Sequence, residues 1–207
     1  MEAASPLRIL FVLGNSDLGG AENHVLALIR GFDPRSYGVH VVCPRPGPLV
    51  ETLRGFRVAT HLIDMVKPAA GDEYELHLPA LWELSLLVRR LRPHVLHSHL
   101  YPAHLHASLV GQLERTPAVL TTAHTLVVRP GEAWLARLTG SRTIAVSQAA
   151  KDLLIRGGVP RNRVTVIRNG IEPRFFRDET AAGVAIRREL GIPSGAPIIG
   201  TIARCDS

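Results

Sequence analysis

Cysteine and aromatic residues are scarce in this 207-residue sequence, and both shortages exclude classes of protein. Cys43 and Cys205 are far apart and belong to no pairing motif. They cannot supply a disulfide framework, which favours a reducing compartment. Aromatic residues make up 5% of the chain, so few platforms exist for stacking bases, and no nucleic-acid-binding motif is present.

Long apolar runs are also missing. The N-terminus "MEAASPLRILFVLG" begins with an acidic residue and contains an apolar run of only five residues, so it does not have the pattern of a signal peptide. No uninterrupted run approaches the roughly 20 residues that cross a bilayer. We therefore expect a cytoplasmic protein that can lie peripherally at the inner face of the membrane.

What the chain does have is apolar content for a core and a surplus of positive charge. Hydrophobic residues make up 46%, and the net charge is +6, mostly from arginine. Such a charge favours phosphates, nucleic acid or an anionic membrane, although solvated arginines explain it equally. The segment "LWELSLLVRRLR" (81–92) is amphipathic with a basic end. It either lies on an anionic membrane or packs on a sheet with its basic end in water.

Short β-rich runs alternate with amphipathic helical segments along most of the chain. This alternation predicts an α/β fold, a Rossmann-like, doubly wound and mainly parallel sheet. Helices are predicted at 21–32, 76–91, 103–113 and 147–158, the last with Ser147 as its N-cap. The predicted strands are 8–13, 38–43, 57–63, 94–99, 118–124, 142–147 and 163–169.

The C-terminal part departs from this pattern. Residues 169–183 are polar and rich in turn formers, and they precede a short predicted helix at 184–190 and a strand, "PIIGTIAR", at 197–204. We expect residues 1–177 to form the Rossmann-like domain and 178–207 to be a linker, a helix and the first strand of a truncated second domain. That strand would lack its sheet and remain an orphan.

The first candidate site is "GNSDLGGAENH", which follows the first strand. Gly14, Gly19 and Gly20 are small where the backbone approaches a ligand, and the next helix directs free N–H groups there, as a phosphate requires. Gly20 stands where a Walker loop has lysine, and Ser16 replaces the second glycine of the dinucleotide fingerprint. A tight strand-to-helix turn is the simpler alternative.

Histidines form the second set of candidates. Residues His97 and His99 share one face at the carboxyl end of a predicted strand, and His124 ends the next strand, where ligands of parallel sheets bind. His124 could be a hydrogen-bond donor, an acid or a base, or simply a structural residue. His94, His104 and His106 lie nearby in sequence, but the segment has no Cys, Asp or Glu to complete a zinc site, and no metal is expected.

In order, the motifs of this chain resemble those of one family. "GGAENHVLALIRGF", "RPHVLHSH", "VLTTAHTL", "RTIAVSQAAKDLL" and "VTVIRNGIEPRFF" resemble the N-terminal half of a family-4 retaining glycosyltransferase. Such enzymes have the GT-B arrangement of two Rossmann-like domains that face each other across a cleft. The resemblance implies sugar transfer with retention from a nucleotide-sugar donor to a glycan, lipid or small-molecule acceptor, as in the synthesis of cell-envelope polysaccharides.

The resemblance also implies residue roles. Gly19, Gly20 and Arg204 would contact the donor phosphates, and His124 would contact the transferred sugar or orient the reacting groups. The residues on the acceptor side would be His97, His99 and Asn169. No cofactor or obligatory metal is implied, because the nucleotide-sugar is a substrate and its leaving phosphate takes the acceptor's proton.

The chain departs from the family where the second domain should begin. Arg204 matches the family's arginine, but Cys205 replaces the following leucine, and the expected lysine and paired glutamates do not follow. We therefore expect little activity from this chain alone and a separate C-terminal half as a possible partner. The alternative is a non-catalytic Rossmann-like module that binds a sugar, a lipid head group or a protein. An NADP-dependent oxidoreductase using Arg45 fits poorly, because the glycine spacing is wrong.

Overall fold

The computed structural model describes residues 5–65, 75–129, 131–170, 181–193 and 195–200. The chain divides into two compact units, Met1–Asn169 and Gly170–Ser207. The first unit contains a seven-stranded sheet in which every pair of neighbouring strands is parallel. Its strands are β1 (Leu7–Leu13), β2 (Tyr37–Cys43), β3 (Ala59–Leu62), β4 (Val95–His99), β5 (Ala118–Ala123), β6 (Arg142–Ala145) and β7 (Val164–Val166).

Helices connect the strands of this sheet. They are α1 (Gly20–Gly31), α2 (Pro48–Gly55), α3 (Leu78–Leu91), α4 (Tyr101–Leu113), α5 (Glu132–Thr139) and α6 (Gln148–Arg156). The predicted fold class, a Rossmann-like doubly wound α/β sheet, is confirmed. The Ser147 side chain caps α6 as predicted, since its Oγ accepts a hydrogen bond from the Ala150 N–H at 3.1 Å.

Two helices were missing from the sequence prediction. Helix α2 begins at the last residue of the Pro- and Gly-rich stretch 44–48, and Pro48 occupies its first turn, where the missing N–H costs nothing. Helix α5 follows Gly131 and buries Leu135, Ala136 and Thr139 at helical spacing. Both helices have the apolar periodicity of an amphipathic helix, over only eight residues each.

The core lies on both faces of the sheet, as the continuous apolar sequence of β1 requires. On one face, Leu10 and Val12 belong to a buried cluster that also contains residues of α3 and α4. On the other face, Ile9, Phe11 and Leu13 belong to a second cluster with residues of α1 and α2. Burying each such side chain contributes about 1.5–3 kcal/mol to folding, so β1 anchors both layers.

The strand order β3-β2-β1-β4-β5-β6-β7 reverses between β1 and β4. A crevice opens at such a reversal, beyond the carboxyl ends of the strands. Here the Gly14 N–H donates a hydrogen bond to the His99 carbonyl at 3.1 Å and joins the segments that leave β1 and β4. Leu100 has a positive φ of +70°, which is rare for a leucine, at the turn into α4.

The second unit contains the helix α7 (Ala181–Glu189), close to the predicted helix at 184–190. The strand predicted at 197–204 is not formed over 197–200, which belong to no helix or strand. Ile199 is fully exposed there, because no neighbouring strand pairs with it in the part of the chain that the structure describes. The rest of the predicted strand, including Arg204, lies outside the described residues. Among the helices described, none is long and apolar enough to cross a bilayer.

Candidate active site

A cavity of about 370 Å³ lies at the carboxyl edge of the sheet. It is bordered by the segments that follow β1, β2, β4 and β5. Its volume falls within the range of about 300–1,000 Å³ that is usual for small-molecule sites. Its polar and glycine lining residues are Gly14, Asn15, Arg45, Tyr101, His104, Thr121, Thr122, His124, Thr125, Arg129, Glu132 and Thr143.

His124 lines this cavity directly after β5, as the sequence predicted for a residue at a strand end. Its Nε2 lies 2.9 Å from Nδ1 of His99, so one imidazole donates a hydrogen bond to the other. Burial lowers the pKa of His124 to about 4, and the nearby His24 contributes to the shift. His124 is therefore a neutral imidazole at pH 7, held by a histidine of the adjacent strand.

Four histidines meet beside the cavity, and we call His24, His97, His99 and His124 the histidine cluster. The ring centroids of His97 and His99 are 4.4 Å apart, and those of His99 and His124 are 5.2 Å apart. The ring of His24 lies 5.3 Å from that of His124. The structure thus brings together three histidines that the sequence singled out and one, His24, that it did not.

Strand register explains why the cluster forms. Side chains alternate along a strand, so His97 and His99 project from the same face of β4. His99 pairs with Thr122 of β5 in the parallel register, and His124 follows two residues later. His97 Nε2 lies 2.8 Å from Thr122 Oγ1, which fixes its ring. His24 comes from α1, and no pattern within one element could have placed it against β5.

The histidine cluster is electrically neutral at physiological pH. Desolvation lowers the pKa of His97 to about 3, and His24 and His124 add to the shift. Desolvation likewise holds the pKa of His99 well below its usual range. His99 Nε2 is buried and has no hydrogen-bond partner among the described residues. The cluster can therefore donate and accept hydrogen bonds, but it does not offer a fixed positive charge.

The other histidines singled out by the sequence are not in the cluster. His94 precedes β4, and its Nδ1 accepts a hydrogen bond from the Arg8 N–H at the opposite edge of the sheet. His104 and His106 lie within α4, where their Nδ1 atoms are within hydrogen-bonding distance of Ser108 Oγ and the Pro102 carbonyl. Within the described residues, no group of three or more His, Cys, Asp or Glu side chains is arranged to hold a metal ion.

Gly19 and Gly20 begin α1 and do not line the cavity. The Gly19 N–H donates to Oε2 of Glu22 at 3.1 Å, and a Cβ at Gly19 would lie 2.8 Å from that oxygen. At Gly20 a Cβ would have no atom within 4 Å. The group that closely approaches Gly19 is thus the Glu22 carboxylate, whereas Gly20 borders open space. A role of both glycines in binding donor phosphates stays a prediction.

Two predicted site residues remain, Asn169 and Arg204. Asn169 is exposed, follows the edge strand β7 and is not part of the cavity lining. Arg204 lies outside the described residues. Conversely, the structure places Arg129 and Glu132 in the lining, and neither was singled out from the sequence; Glu132 is the first residue of α5, a helix that was not predicted. Burial raises the pKa of Glu132 to about 7, against the opposing effect of Arg129.

The chain thus contains a Rossmann-like domain with a cavity near the reversal of its strand order. The family described as Glycosyltransferase Family 4 matches residues 18–175, more than half of the chain. The chain therefore belongs to this family. No curated protein matches the sequence significantly.

Solved structures of other proteins have the same fold. HepE of Anabaena, in a structure with UDP, is 18% identical with a TM-score of 0.71 over 89% of this chain and 50% of HepE. A glycosyltransferase from Rickettsia africae is 17% identical with a TM-score of 0.71 over 93% of this chain and 51% of its own. The UDP-GlcNAc 2-epimerase of Neisseria meningitidis is 16% identical with a TM-score of 0.51 over 77% and 45%. This chain thus spans about half of each protein.

Proposed function

We propose that this chain is the acceptor-binding half of a retaining glycosyltransferase that uses a nucleotide-sugar donor. The family match carries the transferase activity, because the fold alone also occurs in an epimerase. The main support for the location of the site is the position of His124. This residue lines a cavity at the carboxyl edge of the sheet and shares a hydrogen bond with His99. Ligands of open parallel sheets bind at this edge.

In this proposal His124 acts as a neutral hydrogen-bonding group. A pKa of about 4 makes it a weak base, so it is suited to contacting the transferred sugar and orienting it more than to removing a proton. The acceptor's proton would pass to the leaving phosphate of the donor. The chain's contribution to the rate is then placement of the reacting groups and stabilisation of developing charge.

The donor site would lie mostly in a second half, which corresponds to the part of HepE that this chain does not match. Structures of HepE hold UDP, UDP with glucose, and UDP-glucose, and this chain covers 50% of HepE. We infer that the donor here is also a nucleotide-sugar and that the chain alone turns it over slowly or not at all. A non-catalytic binding module would instead bind its ligand with the same cavity and gain no activity from a second half.

We further propose that the acceptor is reached from an anionic membrane surface on the cytoplasmic side. Helix α3 exposes Leu78, Trp82 and Leu86, which recur every four residues and so form one apolar stripe. Arg90 is exposed at the end of the same helix and Arg92 directly after it, whereas Arg89 is paired with Glu114. An apolar stripe beside a basic end suits a helix that lies in the interface of an anionic bilayer.

The test is a fusion protein that joins this chain to the half of HepE that it does not match. We expect this fusion to release UDP from UDP-glucose in the presence of methyl glucoside as acceptor. The substitution His124→Ala should lower its turnover by about 100-fold or more, the loss typical of one preorganised hydrogen-bonding group. His61→Ala is the matched control, because His61 lies on the edge strand β3. Equal losses in both variants would remove His124 from the proposed site.

A further inference from the structure

Glu132 lines the cavity but has no part in the roles assigned so far. It is the first residue of α5 and follows Gly131, which has φ +90°. A Cβ at residue 131 would be strained by this conformation and would also lie 3.0 Å from Tyr101 Oη. The close approach of this glycine to α4 fixes where α5 begins and therefore holds Glu132 at the cavity.

One oxygen of the Glu132 carboxyl group is not satisfied by the protein around it, although the backbone N–H of Arg129 donates a hydrogen bond to the carboxyl group. Its Oε2 is buried and has no hydrogen-bond partner among the described residues. Burying a carboxylate oxygen without a donor costs free energy that a bound ligand or a proton can recover. The raised pKa of Glu132, about 7 and caused by desolvation, expresses the same cost.

Glu132 is also the one acidic side chain in the lining of this cavity, within the part of the chain that the structure describes. The titratable and charged groups that line the cavity with it are Arg45, Tyr101, His104, His124 and Arg129. Burial lowers the pKa of both histidines to about 4, so neither carries a charge at pH 7. A ligand hydroxyl can supply the donor that Glu132 lacks without adding a further buried charge.

We propose that Glu132 is a specificity-determining residue that accepts a hydrogen bond from a hydroxyl group of a polyhydroxylated ligand in this cavity. The proposal rests on the proposed function, in which that ligand is the acceptor sugar or glycosyl head group. The volume of about 370 Å³ and the threonine, tyrosine and arginine groups of the lining suit a polar ring with several hydroxyls.

This role predicts a coupling between binding and protonation. A hydroxyl that donates to the carboxylate stabilises its charged form, so ligand binding should lower the pKa of Glu132. By linkage, affinity should rise as the pH rises through the pKa of the free chain. A glutamate that only supports the start of α5 would show no such shift.

The experiment uses the full 207-residue chain, isotope-labelled, and three probes. Methyl α-glucoside and methyl β-galactoside carry ring hydroxyls, whereas tetrahydropyran has the ring without them. We expect the glycosides, but not tetrahydropyran, to shift the amide resonances of cavity residues. Glu132→Gln should weaken glycoside binding by at least about ten-fold, the loss of one hydrogen bond to a charged group. Glu83→Gln, at an exposed position of α3, should leave binding unchanged.

The carboxyl carbon of Glu132 gives a second readout that needs no variant. Its pKa in the wild-type chain should fall when a glycoside is added. An unchanged pKa at saturating glycoside, an unaltered affinity in Glu132→Gln, or no glycoside binding in the cavity would each overturn the proposal. Transfer by the fusion protein is measured separately. Glycoside binding without transfer would contradict the proposed function but not the role of Glu132. Transfer that is unchanged by Glu132→Gln would contradict the role of Glu132 but not the proposed function.

Discussion

At the scale of single residues, the site depends on buried groups that stay uncharged. His97, His99 and His104 are at most 7% exposed, and burial is the largest cause of each lowered pKa. A neutral imidazole can hydrogen bond in either direction, as the contacts of His97 with Thr122 and of His99 with His124 require. These same groups make the folded chain sensitive to acid.

We predict that the free energy of unfolding falls as the pH is lowered from 7 to 5. An unfolded histidine gains a proton near pH 6.5, whereas His104 in the folded chain does so at about 4. Between these values the unfolded state binds more protons, so stability is lost by up to about 1.4 kcal/mol per pH unit for this histidine. Denaturant titrations at several pH values measure this slope.

The matched variant for that measurement is His104→Gln, which keeps a side chain able to bond Ser108 but cannot titrate. Its stability at pH 8 gives the packing cost of the substitution, and its slope between pH 6.5 and 5 should be shallower than that of the wild type. An identical slope in the two proteins would show that His104 takes up its proton equally well in the folded state.

The sequence predicted part of this site at residue level. Alternation along β4 was enough to put His97 and His99 on one face, and the end of β5 was enough to direct His124 toward them. His24 and Glu132 were missed, because each comes from a helix whose approach to the sheet is decided by tertiary packing. For Glu132 a signal existed in the helical spacing after Gly131, over a segment only eight residues long.

At the scale of elements, α4 packs closely on the sheet. Gly111 of α4 lies so near β5 that a Cβ there would be 2.5 Å from Cγ2 of Val119. An alanine at a helix position ordinarily stabilises relative to glycine by about 1 kcal/mol. At position 111 the new Cβ would clash with the stiff, β-branched side chain of Val119, so alanine should be less stable there than glycine.

We predict that Gly111→Ala destabilises the chain by about 1–2 kcal/mol, since overpacking costs about 1–3 kcal/mol and exceeds the gain in helix propensity. Adding Val119→Ala should recover part of the loss by removing both crowding methyl groups. Gly31→Ala at the end of α1 is the control, because a Cβ there meets no atom within 4 Å. A Gly111→Ala chain as stable as the wild type in denaturant titrations would contradict this packing.

The order of elements was largely predictable, whereas their number was not. Short β-rich runs predicted all seven strands of the sheet; β1 is a continuous apolar run buried on both faces, whereas the edge strand β3 has no buried residue. Neither α2 nor α5 was predicted: each helix is only eight residues long, and Pro48 and Gly131 at their starts are residue types that are common in turns. In α2, Pro48 instead occupies the first helical turn, where proline is favoured.

At the scale of the whole molecule, the basic charge and the exposed stripe of α3 lead to a prediction about membranes. Trp82 is 62% exposed, and Leu78 and Leu86 lie one turn away on either side. We expect the chain to co-sediment with vesicles that contain anionic lipid, and Trp82→Ala to weaken this binding by several-fold because a large apolar contact is lost. Trp134→Ala is the control, since Trp134 is similarly exposed at 55% on α5.

The dependence of binding on salt and on lipid composition distinguishes specific binding of α3 to anionic membranes from non-specific adsorption to vesicles. Attraction between the arginines of α3 and anionic head groups should weaken as ionic strength rises, because surface charges are screened. Equal sedimentation with neutral and anionic vesicles, or equal losses in Trp82→Ala and Trp134→Ala, would contradict the proposed membrane surface.

The most direct test of the account is the rate of UDP release from UDP-glucose, with methyl glucoside as acceptor, by the chain alone and by its fusion to the unmatched half of HepE. If the chain is the acceptor-binding half of a glycosyltransferase, the fusion should turn over and the chain alone should stay at the uncatalysed background. Turnover by the chain alone at a rate ordinary for enzymes, about 1–10³ per second, would contradict the account.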